Sequence, residues 1–179
     1  RVAVYVGGFF ENKRVDRLID AVALTGGAWA LVAIGRDLPG SPYDRATCER
    51  RAAEKAVEFR ATGPLPRSEV IAALRSCDVV VSGSEYEGFG VNIAEALAAG
   101  KPFVAFPAGA APEMAEGGAG RVVRTVEEFG RALRDLEDDG VRRTMVARAR
   151  AAAPEWTEQA MVARYLSVYD RLVSSRARR

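Results

Sequence analysis

The sequence contains no histidine, and this absence removes several kinds of chemistry at once. Histidine-based triads, imidazole metal ligands and histidine general bases are all excluded. No Asp-x-Asp element is present either. Catalysis must therefore rest on carboxylates, on lysine or arginine, on backbone amides or on the substrate itself, and we predict no metal site and no cofactor.

Cysteines and long apolar runs are also scarce. Two cysteines, Cys48 and Cys77, are too few for a disulfide framework, so a reduced environment is the simpler interpretation. No apolar run approaches the ~18 residues of a membrane span, and no signal peptide is visible. We expect a cytoplasmic location. Because the chain starts at Arg1 and enters an apolar run directly, we expect it to be a piece of a longer protein.

Charge of one sign does not dominate the chain. The net charge is +2, from 26 basic and 24 acidic side chains. This balance gives no electrostatic footprint for nucleic acid, so we predict no nucleic-acid partner. The one biased stretch is the basic tail at residues 176–179, which we interpret as a solvated end rather than a contact with membrane phosphates.

The 179 residues suffice for one ordinary domain, and short apolar runs alternate with amphipathic segments along most of it. Strands are predicted at residues 2–6, 29–34, 57–61, 79–81, 102–106 and 121–123. Helices are predicted at 15–22, 44–56, 68–76 and 91–99, near Pro112, and then without strands at 126–136, 141–152 and 157–174. The alternation predicts an α/β fold with a Rossmann-like, doubly wound parallel sheet, helices on both faces and a helical C-terminal appendage.

In such sheets ligands bind beyond the carboxyl ends of the strands, and residues 82–97 follow a predicted strand directly. Gly88 and Gly90 let the backbone turn sharply and approach a ligand. The amides of Gly90, Val91 and Asn92 lie at the start of a predicted helix, where unpaired N–H groups and the helix dipole attract anions. This segment therefore predicts a site for a phosphate-bearing ligand.

Two carboxylates flank that helix start. Glu87 precedes it and Glu95 lies about a turn inside it, so both are able to accept hydrogen bonds from the hydroxyl pairs of one sugar-containing ligand. Periodicity alone allows another interpretation, in which Glu87 is a loop charge and Glu95 a solvated helix residue.

Three weaker features remain open. Asp138 and Asp139 suggest a metal site, but a helix cap is the better interpretation. Glu113 either contacts a ligand or caps a turn. Trp29 and Trp156 are expected in the core, with an interface as the alternative for either.

Glu87 and Glu95 enclose seven residues, and this spacing resembles the E-x7-E signature of retaining glycosyltransferases of the GT-B fold, in particular glycosyltransferase family 4. The resemblance extends over the whole chain in the family's order. It is carried further by residues 6–9, by Lys13, by residues 18–21, by residues 77–81, by residues 109–113, by residues 120–123 and by residues 168–172.

The resemblance implies roles for individual residues. Glu87 would contact the donor sugar and assist catalysis, and Glu95 would hold the ribose hydroxyls. Lys13 would pair with the diphosphate, the loop and helix start at residues 89–92 (Phe89, Gly90, Val91 and Asn92) would meet the donor, and the base would lie near residues 60–63. At Gly8 the family usually has an arginine that faces the phosphates. Arg14 is a substitute cation in an imperfect register, and a pair of solvated helix-start charges is the alternative for Lys13 and Arg14.

The implied function is donor binding in a retaining glycosyltransferase that moves a sugar from a nucleoside-diphosphate sugar to an acceptor. Residues 1–179 would be one nucleotide-sugar-binding domain, and residues 154–179 would form a terminal helix packing toward a missing N-terminal acceptor domain. The isolated piece would then be inactive, and peripheral membrane contact through the missing domain stays open. The alternatives are a non-catalytic nucleotide-sugar-binding or scaffold subunit and a sugar-nucleotide epimerase of the GT-B fold.

Overall fold

The computed structural model describes residues 1–176, with side chains described through residue 174. Strand and helix alternate through the first two thirds of the chain. The strands are β1 (Val2–Val6), β2 (Ala30–Ile34), β3 (Phe59–Gly63), β4 (Val79–Ser82), β5 (Phe103–Ala105) and β6 (Gly120–Val122). The helices are α1 (Val15–Ala23), α2 (Arg45–Glu54), α3 (Arg67–Ser76), α4 (Val91–Ala98), α5 (Ala111–Ala115), α6 (Val126–Asp135), α7 (Asp139–Ala152) and α8 (Glu158–Arg176), with 3-10 turns at Glu11–Lys13 and Ala153–Trp156.

The strands form one six-stranded sheet in the order β3-β2-β1-β4-β5-β6. All five strand pairs are parallel, so every strand ends at the same edge of the sheet. The strand order reverses between β1 and β4, which makes their carboxyl ends the switch point where ligands of doubly wound folds bind. The predicted fold class is confirmed, and β6 is an edge strand as expected.

Helices cover both faces of this sheet because successive strand residues point to opposite sides. On β1, Ala3 and Tyr5 join a core cluster with α1, α2 and α6, whereas Val4 joins a second cluster with α3, α4 and α5. On α1, the apolar spacing buries Leu18 and Ile19 almost completely. Burial of each such side chain contributes about 1.5–3 kcal/mol to stability. The two core clusters therefore hold the helices against both faces of the sheet.

The prediction for the third strand was shifted by two residues. Val57 does not begin β3. Its N–H donates to the carbonyl of Ala52 at 2.9 Å, after Ala56 has turned into the left-handed region at φ 52°. These residues close α2, and the strand begins only at Phe59. Val57 is β-branched and therefore fits the sequence pattern of a strand, but it lies before the first residue of β3.

The C-terminal helices differ sharply in burial. Helices α6 and α7 bury residues against the domain, among them Phe129, Leu133 and Met145. By contrast, every described side chain of α8 from residue 161 to residue 174 is exposed. The basic tail was expected to be a solvated end, and its residues 177–179 lie outside the described part of the chain.

Both cysteines are buried and free. Burial raises the pKa of the Cys48 thiol to about 12 and that of Cys77 to about 11, so both are held as inert thiols near neutral pH. Trp29 is a fully buried core residue, as predicted. Trp156 is half-buried and packs beside the second core cluster.

Candidate functional site

Two loops meet at the switch point of the sheet. One follows β1 and runs through residues 7–14, and the other follows β4 and runs through residues 83–90. The N–H of Glu85 donates to the carbonyl of Asn12 at 2.9 Å, which joins the loops directly. Lys13 and Glu87, which were predicted from sequence to bind the phosphate and the sugar, therefore lie on two touching segments, and α4 follows the second of them.

Lys13 and Glu87 form an ion pair across these loops. The Nζ of Lys13 lies 2.6 Å from Oε1 of Glu87, and the Ser84 hydroxyl donates to the same oxygen at 2.7 Å. The side chains of Lys13 and Glu87 are only 23% and 14% exposed. Neither residue is a free surface charge, because each is largely buried and paired with the other. Their roles toward a ligand stay predictions.

Arg14 is also engaged, but with other partners. Its guanidinium donates to both carboxylate oxygens of Asp16, at 2.9 and 2.8 Å, and to Glu85. It also lies over the Tyr43 ring at 5.4 Å from the centroid. These bonds raise the pKa of Arg14, led by the hydrogen bond to Asp16. Arg14 is thus neither solvated nor directed at an open anion site.

The helix start predicted to hold anions is present. Gly90 precedes α4 with φ 102°, and the first residues of α4 are Val91 and Asn92. Amides in a first helical turn have no intrahelical acceptor, so their N–H groups are available to a ligand. Phe89 is 46% exposed beside this turn, and its ring lies 6.3 Å from that of Trp156. The loop thus presents backbone donors next to the Lys13–Glu87 pair.

Glu95 lies one turn further along α4 and turns toward α3 rather than toward the Lys13 loop. Its Oε1 accepts a hydrogen bond from Arg67 at 3.1 Å. The Arg67 side chain is 78% exposed, and that of Glu95 is 27% exposed. Both residues border a depression of about 170 Å³ between α3 and α4. The side chain of Glu95 is therefore more accessible than that of Glu87, and its partner Arg67 is largely exposed to solvent.

Gly8 lies in the same loop as Lys13, just after β1. Its carbonyl accepts a hydrogen bond from the Tyr5 hydroxyl at 2.7 Å. Burial raises the pKa of Tyr5, and the negative charge of Glu87 adds to the shift, so the phenol is a fixed neutral donor. The φ angle of Gly8 is outside the left-handed region, but a Cβ there would lie 2.3 Å from Cε2 of Phe10.

The weaker candidates fall outside this cluster. Asp138 is the N-cap of α7, as the cap interpretation held, although it opens the following helix rather than ending the preceding one. Glu113 is exposed in the first turn of α5. Among residues 1–176, no group of three or more acidic or cysteine side chains is placed to hold a metal ion.

Sequence reasoning assigned no role to Ser84, Glu85 or Arg67. Ser84 is 1% exposed and holds Glu87, while Glu85 bridges Arg14 and Arg17. The position of Glu85 two residues before Glu87, in the same loop after a predicted strand, was the available signal. Nothing in the spacing of Arg67 pointed to Glu95, because that contact depends on how α3 packs against α4.

A doubly wound parallel sheet with a polar site at its switch point defines a Rossmann-like domain. The chain belongs to the family of glycosyl transferases group 1, whose model matches residues 1–156. The resemblance to glycosyltransferases is thereby confirmed at the level of group 1, whereas family 4 and the retaining mechanism stay predictions.

Curated relatives agree with this assignment. A D-inositol 3-phosphate glycosyltransferase of Corynebacterium glutamicum (strain R) is 32% identical, over 98% of this chain and 44% of the relative. The enzyme of the same name from Corynebacterium aurimucosum is 31% identical over 83% of this chain and 38% of the relative. The chain thus spans less than half the length of these relatives.

Solved structures share the fold. The Anabaena protein Alr3699/HepE in complex with UDP superposes with a TM-score of 0.84 at 25% identity, over 97% of this chain and 48% of that one. Sucrose-phosphate synthase from Thermosynechococcus elongatus gives a TM-score of 0.82 at 23% identity, over 97% and 46% of the two chains. In the described part of the chain, no helix combines the length and apolarity needed to cross a bilayer.

Proposed function

We propose that this chain is the donor-binding domain of a retaining glycosyltransferase of family 4, which transfers a sugar from a nucleoside-diphosphate sugar to an acceptor. The observation that carries the proposal is the Lys13–Glu87–Ser84 cluster beside the first turn of α4. It combines a cation for phosphate, a carboxylate for sugar hydroxyls and backbone N–H groups for either.

The diphosphate binds to Lys13 and to the first-turn amides of α4. Because Lys13 is paired with Glu87, its ammonium must be shared with or transferred to the phosphate when the donor binds. The carboxylate of Glu87 then needs new hydrogen-bond donors. Sugar hydroxyls supply them, so a donor that carries its sugar compensates Glu87 and a bare diphosphate does not.

The ribose binds to Glu95. In the part of the chain that the structure describes, its side chain pairs with Arg67, which is largely exposed. Such a pair is weak enough to be displaced by two ribose hydroxyls. The base lies toward the carboxyl end of β3, near residues 60–63, where the chain approaches the loop after β2 through the 3.1 Å bond from the Gly35 N–H to the Gly63 carbonyl.

The chemistry rests on positioning and on electrostatic stabilisation. Lys13 and the amides of α4 stabilise the negative charge that develops on the departing diphosphate. Glu87 orients the sugar, and the leaving phosphate assists deprotonation of the acceptor. Since the positive charge comes from Lys13 and from N–H groups, we expect donor binding without a divalent metal.

The acceptor side belongs to a further domain. Helix α8 carries a stripe of exposed apolar residues, including Met161, Val162, Tyr165 and Tyr169. The chain also spans less than half the length of its curated relatives. We expect an N-terminal acceptor-binding domain to cover α8, and we expect the isolated chain to bind a nucleoside diphosphate without transferring sugar.

The test is calorimetry of residues 1–179 with UDP, GDP and ADP, each in excess EDTA, followed by the matching nucleotide sugars. Thermal unfolding gives a second readout. A ligand at 100 times its dissociation constant adds about 2.7 kcal/mol to the free energy of unfolding, which raises the melting temperature by roughly 5–10 °C. Absence of binding to every nucleotide, or binding only when magnesium is restored, would count against the proposal. Binding without donor hydrolysis or transfer by the full-length protein would favour a non-catalytic subunit.

A further inference from the structure

Arg14 has an unusual backbone for a residue next to a phosphate-binding lysine. Its φ and ψ angles are 47° and 53°, so it lies in the left-handed region. Residues with a side chain adopt this region with strain, and they persist there only when the surroundings hold them. Arg14 both ends the 3-10 turn that carries Lys13 and precedes α1. The direction of Lys13 therefore depends on this strained link.

The Arg14 side chain supplies the hold. Its Nε and Nη2 bond the two oxygens of Asp16, and its Nη1 bonds Glu85. Glu85 is bridged in addition by Arg17 at 2.5 Å. Two cations and two carboxylates thus form a neutral chain of contacts from Asp16 through Arg14 and Glu85 to Arg17, in which every guanidinium nitrogen of Arg14 has a partner.

This cluster also ties the Lys13 loop to the Glu87 loop. The Glu85 N–H donates to Asn12, one residue before Lys13. Gly83 packs so closely that a Cβ there would lie 2.5 Å from the Arg14 carbonyl oxygen. Glu85 and Glu87 project from one segment to Arg14 and Lys13 on the other. Two neighbouring ion pairs, Lys13–Glu87 and Arg14–Glu85, therefore hold the two segments together.

We propose that Arg14 is a positioning residue, which holds Lys13 opposite Glu87 through Glu85 and Asp16 and does not itself bind the diphosphate. This inference rests on the role proposed above for Lys13. Arg14 and Glu85 would thus raise the affinity for the donor without contacting it.

Replacing Glu85 separates positioning from direct binding, because the two predict opposite signs. If Glu85 positions Arg14 and Lys13, Glu85→Ala weakens UDP binding about fivefold. If Arg14 were a phosphate ligand held back by Glu85, the same change would free it and tighten binding. The control is Glu11→Ala, which removes a negative charge from an exposed residue of the same loop that has no ion pair in the described chain. The dissociation constants are compared by calorimetry at one salt concentration, so that general charge effects appear equally in the control.

Substitutions at Arg14 give the second measurement. Arg14→Gly keeps a residue suited to the left-handed region but removes the guanidinium, and we expect UDP binding about tenfold weaker than in the parent. Arg14→Lys restores the charge without the fork that bonds Asp16 and Glu85 together, so it should recover little of that loss. Full recovery by lysine would overturn the proposal, because a phosphate ligand needs only the charge. Arg121→Ala, which breaks a pair with Asp135 at the sheet edge, should leave binding unchanged.

Amide hydrogen exchange keeps the inference testable if the parent binds no nucleotide at all. In that case the proposed function fails, but the positioning role still predicts faster exchange of the Glu85 amide in Arg14→Gly than in the parent, with little change in Arg121→Ala. Unchanged exchange of this amide would overturn the inference, whether or not UDP binds.

Discussion

The two glutamates of the E-x7-E spacing occupy different environments. Glu87 has two partners, Lys13 and Ser84, and its side chain is 14% exposed. Among the described side chains, Glu95 pairs with Arg67, whose side chain is 78% exposed, and Glu95 itself is 27% exposed. The carboxylate of Glu87 is thus held by largely buried partners, whereas that of Glu95 is held by a side chain that is exposed to solvent.

This difference follows from the elements that carry them. Glu87 lies in a loop that is fixed by a second loop, so its partner comes from a fixed backbone. Glu95 lies on a helix, and its partner reaches across from a neighbouring helix with a long, flexible side chain. A ligand that displaces Arg67 loses little, since an exposed ion pair contributes about 0–1 kcal/mol. A ligand that displaces Lys13 from Glu87 must compensate a half-buried carboxylate.

The largest expected effect is that of removing Lys13. Lys13→Ala deletes the cation for the diphosphate and leaves the Glu87 carboxylate with Ser84 as its remaining partner. Loss of one partner from such a pair costs about 2–5 kcal/mol, so UDP binding should weaken about 30-fold or more. Calorimetry with UDP measures this directly.

The double variant Lys13→Ala/Glu87→Gln separates the two causes. It lacks the cation but also lacks the uncompensated negative charge, so it should bind UDP more tightly than Lys13→Ala alone. Parent-like binding by Lys13→Ala would mean that the phosphates bind elsewhere.

A smaller effect is expected at the other glutamate. Glu95→Gln removes the charge that would accept bonds from the ribose hydroxyls, which costs about 1.5 kcal/mol or about tenfold in UDP affinity. The matched control is Arg67→Ala, which frees Glu95 and should leave affinity unchanged or up to about threefold tighter. If Arg67→Ala weakens binding as much as Glu95→Gln, Arg67 contacts the nucleotide and the two ends of the site are more alike than the free structure suggests.

Glu87→Gln should act in the opposite direction on a bare diphosphate. Without its charged partner, Lys13 is free for the phosphates, and UDP should bind about threefold to fivefold more tightly. The corresponding nucleotide sugar should lose its advantage over UDP, because the carboxylate for the sugar hydroxyls is gone. The measurement is the ratio of the two dissociation constants in parent and variant. Weaker UDP binding by Glu87→Gln would show that Glu87 supports the diphosphate site rather than competing with it.

Much of the fold followed from local pattern. Strands such as β1 and β4 are apolar runs bounded by polar residues or glycine, and the spacing in α1 is that of a helix with one buried face. The failure at Val57 is instructive, because the residue satisfies both the end of a helix and the start of a strand. Only the backbone turn at Ala56 decides between them, and sequence pattern does not reveal it.

The site was predictable as a set of segments but not as a set of pairs. Lys13 and Glu87 were both singled out, yet their separation of 74 residues left their contact invisible in the sequence. The same holds for Arg14 and Glu85. Which cation meets which carboxylate depends on the two loops touching at the Asn12 carbonyl, and this contact is a property of the strand order rather than of either loop.

The smallest effect is expected from a substitution at Gly8, which lies in the loop that carries Lys13, the partner of Glu87. An arginine there would add a second cation near Lys13 and leave the Glu95 side untouched. The backbone permits it, because the φ angle of Gly8 is outside the left-handed region. The Tyr5 hydroxyl bonds the Gly8 carbonyl, which any residue retains. The obstacle is Phe10, whose ring atoms Cε2 and Cζ would lie 2.3 and 2.7 Å from the new Cβ.

Gly8→Arg is therefore best measured in a Phe10→Ala background, where the ring is absent. Relative to Phe10→Ala alone, the double variant should bind UDP about threefold more tightly, as expected for one partly exposed charge. The gain should shrink as salt is raised, because the new charge is screened more than the half-buried Lys13. Gly8→Arg with Phe10 intact should show a smaller gain, since part of the energy is spent on displacing the ring. If the double variant binds no more tightly than Phe10→Ala at any salt concentration, Gly8 does not face the phosphates, and the diphosphate depends on Lys13 and the helix start alone.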